Sequence, residues 1–382
     1  MAPAAVADLY PGPTPAREHV PKQATVQASV LTGPKQLHLE YRHLTDPAPG
    51  ELQISVLATG ICGSDVAYYK NFRNGDLQAV APLTLGHESA GVVEAIGDGV
   101  NGLVKEADTI CVPRCGSGVA PNPFPISRVH FRKGLTILRN GVISGIPESV
   151  SLEAAALLEP LSVAIHSTRR ASIEQGDTVI VFGAGTVGLL VAAMAKLSGA
   201  TTVTIVDINT KRVKYALENN FATRGYVVPH SGHNEHTEKI VDRFEEAKTL
   251  ASDVVDTACA GETDVEGADV TFDCTGKEVC MQASLYATRP GGQLIMVGMG
   301  TPIQTLQMSA AHLKEVDIIG IFRYANTYPT GIKLLASGAL PSLDNMITHR
   351  FQGLDQVRDA FELASKQMDR EGNLVLKVLI ES

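Results

Sequence analysis

Short hydrophobic runs alternate with turn residues through the first third of the chain, starting at Ala24. The segments TVQASVL, ELQISVLATGICGSDV and SAGVVEAIG are strand-like, and Pro, Gly or Asp residues flank them. Short apolar runs separated by turn residues are typical of β-strands. This pattern predicts a β-rich domain in the first part of the chain.

The pattern changes near Asp177, where strand-like and helix-like segments begin to alternate. DTVIVFGAGTVGLLVAAMAKLSGATTVTIVDI predicts a strand, a glycine turn, a helix and a second strand. ADVTFDCTG, GGQLIMVGMG and VDIIGIF predict further strands that are apolar almost throughout. Such strands are typical of a parallel sheet covered on both faces. The predicted fold class is therefore α/β, a β-rich domain joined to a doubly wound parallel sheet.

Helical spacing flanks the predicted parallel sheet on both sides. SLEAAALLEPLSVAIHSTRRA precedes the sheet, and Pro160 interrupts its helical pattern. YPTGIKLLASG and LDQVRDAFELAS follow the sheet, and LVLKVLI predicts a closing strand.

Composition limits the class of protein. The chain has 382 residues, 44% hydrophobic and 19% charged, which suggests about two domains. A net charge of −9 disfavours a nucleic-acid partner. The sequence contains no run of about 18 apolar residues, so it predicts no membrane-spanning helix. The first 25 residues, rich in Ala and Pro, predict a flexible tail and no signal peptide. Six scattered cysteines argue against a disulfide scaffold and favour the cytoplasm.

Three glycines form the clearest motif in the chain. Gly183, Gly185 and Gly188 fit G-x-G-x-x-G between a predicted strand and a predicted helix, the context of a dinucleotide site. The first glycine permits a tight turn, the second admits a pyrophosphate and the third allows close helix–strand packing. The helix N-terminus would bind the phosphates. The alternative is a glycine turn that binds nothing.

Asp207 ends the second strand of this motif and bears on the choice of coenzyme. A carboxylate at this position accepts hydrogen bonds from the adenosine ribose and repels a 2′-phosphate, which favours NAD over NADP. Lys211 and Arg212 follow closely, and a basic residue there could receive a 2′-phosphate.

Four residues outside this motif carry metal-ligating groups. They are Cys62 in TGICGSDVAYY, His87 and Glu88 in LGHES, and Glu159 in LLEPLS. Sulfur, nitrogen and oxygen ligands together suit zinc, and three protein ligands leave a position open for catalysis. Taken singly, each residue has a simpler explanation, such as a buried thiol, a turn histidine or a surface carboxylate. Together they favour zinc, since an NAD site needs a substrate-activating group.

The segment GHESAGVVEAIGDGV is similar to the signature of zinc-containing medium-chain alcohol dehydrogenases, G-H-E-x2-G-x5-G-x2-V. That signature is filled by Gly86, His87, Glu88, Gly91, Gly97 and Val100. GICGSDVAYY, LLEPLSVAIH, YATRPGG, KEVDIIGIFRYANTYP and THRF resemble the polyol branch, the sorbitol, xylitol and L-arabinitol dehydrogenases. The resemblance extends from near residue 50 to the end, except for 105–147.

The resemblance implies a particular domain organisation. A GroES-like catalytic domain (26–168 and 320–382) is interrupted by a Rossmann NAD-binding domain (169–319), after a flexible tail (1–25). The active site lies in the cleft between the domains. The implied cofactors are one catalytic Zn²⁺ per chain and NAD, and the implied assembly is a homo-oligomer, either a dimer or a tetramer.

The resemblance also assigns roles to residues. It implies that zinc is held by Cys62, His87 and Glu88, with Glu159 bound directly or through water. Ser64 would pass a proton towards the coenzyme ribose. The implied substrate contacts are Tyr68, Glu159, Arg323 and Tyr324. Residues implied to line the NAD site, beside the glycines, are Val187, Asp207, Arg212, Val297, Met299 and Phe322.

The implied reaction is oxidation of a secondary hydroxyl of a sugar alcohol, such as sorbitol, xylitol or L-arabinitol, to the ketose. Hydride passes to NAD, and zinc lowers the pKa of the reacting hydroxyl. Two other hypotheses are another zinc alcohol or amino-alcohol (threonine-type) dehydrogenase and a non-catalytic NAD-binding relative with a degenerate lobe.

Three features depart from the family pattern. Cys111 and Cys115 stand where relatives often have four cysteines, and two thiolates are too few for a structural zinc site. The segment 105–147 is shorter than the family pattern leads us to expect, and its strands are hard to recognise from the sequence. Ala67 replaces a histidine found in many relatives, which removes any contact made there.

Overall fold

The computed structural model describes residues 24–100, 109–112, 132–139, 145–229, 239–261 and 265–382. These residues form an eight-stranded sheet, a six-stranded parallel sheet and a two-stranded ribbon. The predicted tail up to residue 23, Cys115 and most of 105–147 lie outside the described residues. Within the described part of the chain, no helix is both long enough and apolar enough to cross a membrane.

The first part of the chain is β-rich, as the hydrophobic pattern predicts. β1 pairs with β2 and β8, β3 with β6 and β8, and β6 with β7, all antiparallel. Its elements are β1 (Ala24–Gly33), β2 (Gln36–Leu44), β3 (Glu51–Gly60), α1 (Gly63–Asn71), β4 (Arg73–Asn74), β5 (Leu77–Gln78), β6 (Glu88–Ile96), β7 (Thr109–Val112), β8 (Arg132–Arg139), α2 (Leu152–Ala156) and α3 (Leu158–Arg170).

The strand predicted over ELQISVLATGICGSDV is wrong beyond Gly60. β3 ends at Gly60, and α1 begins at Gly63. The carboxylate of Asp65, three residues after Cys62, accepts the Cys62 backbone N–H at 3.3 Å. This contact caps the first turn of a helix, so the chain turns out of the sheet at Cys62.

The helical segment before the parallel sheet breaks at Leu157, and Pro160 lies just inside the second helix. α2 ends at Ala156 and α3 begins at Leu158. Pro160 therefore lies in the first turn of α3, where a helix does not need the N–H that proline lacks. The proline is therefore accommodated within the second helix and does not interrupt it.

The six-stranded sheet is parallel throughout and doubly wound, which confirms the predicted fold class. Its strand order is β11-β10-β9-β12-β13-β14, the order in which dinucleotide-binding sheets are built. Its elements are β9 (Thr178–Phe182), α4 (Thr186–Ser198), β10 (Thr202–Asp207), α5 (Thr210–Glu218), β11 (Arg224–Val227), α6 (Ile240–Ala258), β12 (Ala268–Asp273), α7 (Glu278–Ala287), β13 (Thr288–Met296), α8 (Met308–Lys314) and β14 (Asp317–Gly320).

After β14 the chain returns to the first sheet. The returning elements are α9 (Tyr328–Ser337), β15 (Ile347–Gln352), α10 (Val357–Ala364) and β16 (Lys377–Glu381). β16 lies between β15 and β3, and its Leu379 is paired with Gly60. The start of β16 therefore lies beside the end of β3, where α1 begins.

One continuous hydrophobic core joins α3 to the parallel sheet. Leu158, Leu161 and Ile165 of α3 are buried in the same cluster as Val179 and Val181 of β9. Because α3 is anchored in this way, Glu159 near its start has a fixed position relative to the parallel sheet.

Candidate active site

Asp65 organises the point where β3 ends and β6 begins. Its Oδ2 accepts the Cys62 N–H at 3.3 Å, and its Oδ1 accepts the Gly86 N–H at 3.2 Å. The same Oδ1 lies 3.2 Å from His87 Nδ1. Asp65 is buried, so one carboxylate positions the cysteine and the histidine together. Sequence reasoning missed this residue, although an aspartate three residues after the cysteine is a recognisable capping signal.

Cys62, His87 and Glu88 come together. The Cys62 sulfur, a ring nitrogen of His87 and a Glu88 carboxylate oxygen all lie within 4.8 Å of one another. Among the described residues, no other three metal-ligating side chains lie this close. His87 and Glu88 are buried, and Cys62 is partly buried. Sulfur, nitrogen and oxygen donors at this spacing fit a zinc ion.

The electrostatics of this group favour a cation. Burial lowers the pKa of His87, but the Asp65 carboxylate and Cys62 raise it by more, so it lies well above its ordinary value. The ring therefore lies in a strongly negative potential. A divalent ion bound to these donors would be stabilised by the same potential.

Glu88 is paired with a buried lysine that sequence reasoning missed. Lys377 Nζ donates to Glu88 Oε2 at 2.6 Å and to the Ile61 carbonyl at 3.1 Å. Burial lowers the pKa of Lys377, but Glu88 and other nearby acidic groups raise it more. A Cβ on Gly60 would collide with the Glu88 carboxylate, so that glycine leaves room for the pair. A lone lysine within the apolar strand LVLKVLI is the one sequence signal for it.

These groups line a cavity of about 450 Å³ between the two sheets. Glu159, from the first turn of α3, lines the same cavity but lies outside the group of three ligand atoms that are within 4.8 Å. Ser64 Oγ lies 3.5 Å from His87 Nε2. The sequence-predicted site residues that line the cavity are Cys62, Ser64, Tyr68, His87, Glu88, Glu159, Val187, Val297, Met299, Phe322 and Arg323.

Of the two predicted substrate residues after β14, one lines the cavity and the other does not. Arg323 lines the cavity, and its guanidinium lies 5.0 Å from the centre of the Phe322 ring. Tyr324 is not among the lining residues, and its ring packs against Tyr328 at 5.5 Å. Arg323 has a φ of 57°, a left-handed conformation rare for a residue with a side chain. Such strain is common at functional sites.

The glycine turn has the geometry that its spacing predicts. Gly183 has a φ of 99°, which favours glycine, and a Cβ on Gly188 would collide with the Gly183 carbonyl oxygen. A Cβ on Gly185 would meet nothing within 4 Å. Open space at Gly185, at the N-terminus of α4, fits the approach of a pyrophosphate.

Asp207 lies beside this turn. Its Oδ2 accepts the Ala184 N–H and its Oδ1 accepts the Asn209 N–H, both at 2.8 Å. Lys211 Nζ donates to the Gly372 carbonyl at 2.5 Å, and Arg212 donates to the Val375 carbonyl at 3.4 Å. The two basic residues therefore already bind backbone oxygens of the segment between α10 and β16.

Cys274 and Thr275 are cavity residues that sequence reasoning did not single out. They directly follow β12, and both line the cavity with Val187 and Val297. Ligands of such sheets bind beyond the carboxyl ends of the strands, so their position after ADVTFD was the available signal. The dinucleotide side and the metal-ligating side therefore meet in one cavity.

Comparisons with known proteins agree with this geometry. The model of the alcohol dehydrogenase GroES-like domain matches residues 48–125, and that of the zinc-binding dehydrogenase matches residues 186–337. The first match reaches into the segment 105–147, where the resemblance from motifs alone stopped.

Curated relatives and solved structures point the same way. Sorbitol dehydrogenase of Gallus gallus is 35% identical over 86% of this chain and 90% of its own. Sorbitol dehydrogenase of Homo sapiens is 32% identical over 92% of this chain and 94% of its own. L-idonate 5-dehydrogenase of Escherichia coli superposes with a TM-score of 0.74, at 22% identity over 95% and 99% of the two chains. That structural likeness shows the fold.

The chain belongs to the zinc-binding dehydrogenase family, and its sorbitol dehydrogenase relatives confirm the resemblance to the polyol branch. It is an oxidoreductase, and family membership confirms catalytic zinc and NAD as its cofactors.

Proposed function

We propose that the protein oxidises a secondary hydroxyl of a sugar alcohol, such as sorbitol, xylitol or L-arabinitol, to the ketose and transfers hydride to NAD. One observation carries this proposal. The Cys62, His87 and Glu88 donors share a single cavity with Val187 and with Arg323, which joins metal, coenzyme and hydroxyl-binding chemistry.

Cys62, His87 and Glu88 would hold the Zn²⁺ ion. When bound, zinc supplies Lewis-acid chemistry that lowers the pKa of a substrate hydroxyl. Asp65 fixes the cysteine and the histidine through its two carboxylate oxygens, and such outer contacts orient ligands. Lys377 holds the Glu88 carboxylate in place.

Ser64 is proposed to pass the proton of the reacting hydroxyl towards the coenzyme ribose. Its Oγ lines the cavity and lies 3.5 Å from His87 Nε2, so it is next to the place where the reacting hydroxyl must lie. Glu159 is buried and lines the same cavity without joining the three donors. We assign it to hold the substrate end of the site, directly or through water, by accepting hydrogen bonds.

The dinucleotide side positions the nicotinamide. Gly185 and the N-terminus of α4 receive the pyrophosphate, and Asp207 accepts hydrogen bonds from the adenosine ribose. The apolar side chains of Val187 and Val297 line the cavity and would exclude water from the nicotinamide face. Hydride transfer needs such a dry, fixed approach.

Arg323 is proposed to recognise the chain of hydroxyls. A guanidinium offers several fixed donors, which suits vicinal hydroxyls and gains nothing from ethanol. Sites that hydrogen-bond hydroxyls reject substrates lacking them, because buried donors are then left unpaired. Five- and six-carbon polyols should therefore be oxidised far better than simple alcohols.

A substrate panel combined with metal analysis tests the proposal. The panel contains xylitol, sorbitol, L-arabinitol, L-threonine and ethanol, and NADH formation is followed by absorbance. We expect about one zinc per chain and the highest kcat/KM with a polyol. A preference for L-threonine or ethanol would contradict the polyol assignment, and zinc binding without turnover of any alcohol would contradict catalysis.

We also propose a homo-oligomer, a dimer or a tetramer, in the cytoplasm. β14 forms an edge of the six-stranded sheet, and Ile303 and Leu313, which precede β14 in the sequence, are 85% and 87% exposed. An open strand edge with exposed apolar side chains favours pairing with another chain. Cys62, Cys259, Cys274 and Cys280 are free thiols, which suits a reducing compartment. Light scattering after size exclusion tests the assembly, and a monomer would contradict it; cell fractionation tests the compartment.

A further inference from the structure

The hairpin of β4 and β5 covers one side of the cavity. β4 is Arg73–Asn74 and β5 is Leu77–Gln78, and Asn74 is paired directly with Leu77. Gly75, in the turn, has a φ of 57°, and the Arg73 side chain donates to its carbonyl at 2.9 Å. The turn therefore fixes the two residues that precede and follow it.

Asn74 and Leu77 both line the cavity that contains the metal-ligating group. Directly paired residues on neighbouring strands project from the same face of a ribbon. The hairpin thus presents one amide and one apolar side chain side by side to the same space.

Asn74 is a buried polar residue without a visible structural role. The residue is 8% exposed, although it lies in a short surface hairpin. Among the described residues, no side chain or backbone group forms a hydrogen bond with its amide. The side-chain amide is not one of the fully enclosed, unpaired polar groups of the described residues, which agrees with an amide that opens onto the cavity. A partner supplied from the cavity accounts for its position.

The chemistry of the amide suits a hydroxyl. Asparagine offers two N–H donors and one carbonyl acceptor, and a hydroxyl is both a donor and an acceptor. We propose that the Asn74 amide binds a chain hydroxyl of the polyol away from the reacting carbon and so helps to select polyols. This inference rests on the proposed function, and it assigns a specificity role to a residue outside the zinc and coenzyme sites.

Asn74 and Arg323 would divide the recognition of the substrate. Arg323 enters the cavity after β14 of the parallel sheet, whereas Asn74 enters from the hairpin that follows α1. Two polar groups from opposite units can bind different hydroxyls of one extended chain. A short diol with few hydroxyls would leave Asn74 bound to water.

Asn74→Leu removes the amide and keeps a side chain of similar size. The measured quantity is the ratio of kcat/KM for xylitol to kcat/KM for 2,3-butanediol. We expect this ratio to fall about tenfold, the effect of one lost hydrogen bond. NAD affinity measured by calorimetry and zinc content should stay unchanged. Asn71→Leu is the matched control, because Asn71 is exposed at the end of α1, and its ratio should equal that of the unchanged protein.

Asn74→Ala removes the amide without adding an apolar branch, and it serves if the leucine variant does not fold. We expect the same fall in the ratio. An unchanged ratio in a folded variant, or equal losses with both substrates, overturns the role of Asn74 alone. A natural protein that already prefers 2,3-butanediol to every polyol overturns the proposed function and this inference together.

Discussion

The metal-ligating end and the adenosine end of the site are held together in different ways. At the adenosine end, Asp207 binds backbone N–H groups of Ala184 and Asn209, within one strand–turn–helix–strand unit. At the metal-ligating end, Glu88 is held by Lys377, which belongs to the last strand of the chain. One end rests on local backbone geometry and the other on charges from distant segments.

This difference determines how each end should respond to mutation. At the adenosine end the contacts lie within one short unit, so substitutions there should alter coenzyme preference more than stability. Removing one member of a buried charged group leaves its partner unpaired, which is strongly unfavourable. Substitutions at the metal-ligating end should therefore affect activity, metal content and stability together.

The largest expected effect comes from Cys62→Ser. Loss of the sulfur ligand should lower polyol turnover on the order of a thousandfold or more, because the reacting hydroxyl is no longer activated. Zinc content should fall well below one per chain while NAD affinity is kept. Metal analysis and calorimetry measure both. Cys280→Ser, a cysteine outside the cavity, should behave like the unchanged protein. Retained activity in Cys62→Ser would show that the zinc assignment is wrong.

Lys377→Met tests the charge balance at the same end. The Glu88 carboxylate loses its buried cation, and breaking such a pair costs about 3–5 kcal/mol of the free energy of unfolding. The loss should be largest with a chelator present and smaller with zinc, since the ion supplies positive charge beside Glu88.

Urea unfolding in the two conditions measures that difference. Lys366→Met, at an exposed position, is the control and should change little. Equal destabilisation of Lys377→Met with and without zinc would show that the lysine supports packing and does not share Glu88 with the metal.

Asp65→Asn should have an intermediate effect. The amide keeps its size but loses the charge that faces His87 Nδ1 at 3.2 Å. Outer contacts of this kind are worth about tenfold to a hundredfold in metal affinity. Zinc affinity measured by chelator competition should fall by that amount. Asp76→Asn, on the exposed hairpin turn, should leave it unchanged, and an unaffected Asp65→Asn would limit Asp65 to capping α1.

The smallest effect is expected at the adenosine end. Asp207→Ser should lower kcat/KM for NAD about tenfold and raise that for NADP, because a hydrogen-bond acceptor and a negative charge are removed together. Lys211→Ala should leave the NAD/NADP ratio unchanged, since its ammonium already binds the Gly372 carbonyl. If the protein without substitutions prefers NADP, Lys211 and Arg212 determine the coenzyme preference and Asp207 does not.

The same difference explains what could be predicted from the sequence. The G-x-G-x-x-G spacing is itself the geometry of the turn, so the roles of Gly183 and Gly188 followed from local rules. The donor types of Cys62, His87 and Glu88 together favour zinc, but their assignment as the ligand set required the family resemblance, because each residue alone has an ordinary structural explanation. In the structure, their donor atoms lie within 4.8 Å of one another.

Local sequence rules could not predict the positions of Lys377 and Asn74 in the site. The Lys377–Glu88 contact joins residues 289 positions apart, and it depends on β16 lying beside β3. Asn74 lies in a two-residue strand whose burial depends on the cavity beneath it. The hydrophobic pattern predicts a strand through Gly63, whereas the Asp65 carboxylate caps a helix there, and periodicity alone does not register a capping contact.

A zinc titration of the metal-depleted protein tests the central claim most directly. The claim is that one zinc ion, held by Cys62, His87 and Glu88, activates the substrate in the cavity that also receives NAD. NADH formation with a saturating polyol should rise in proportion to added zinc and stop at one ion per chain. Full activity without zinc, or a rise that continues to two ions per chain, would contradict it.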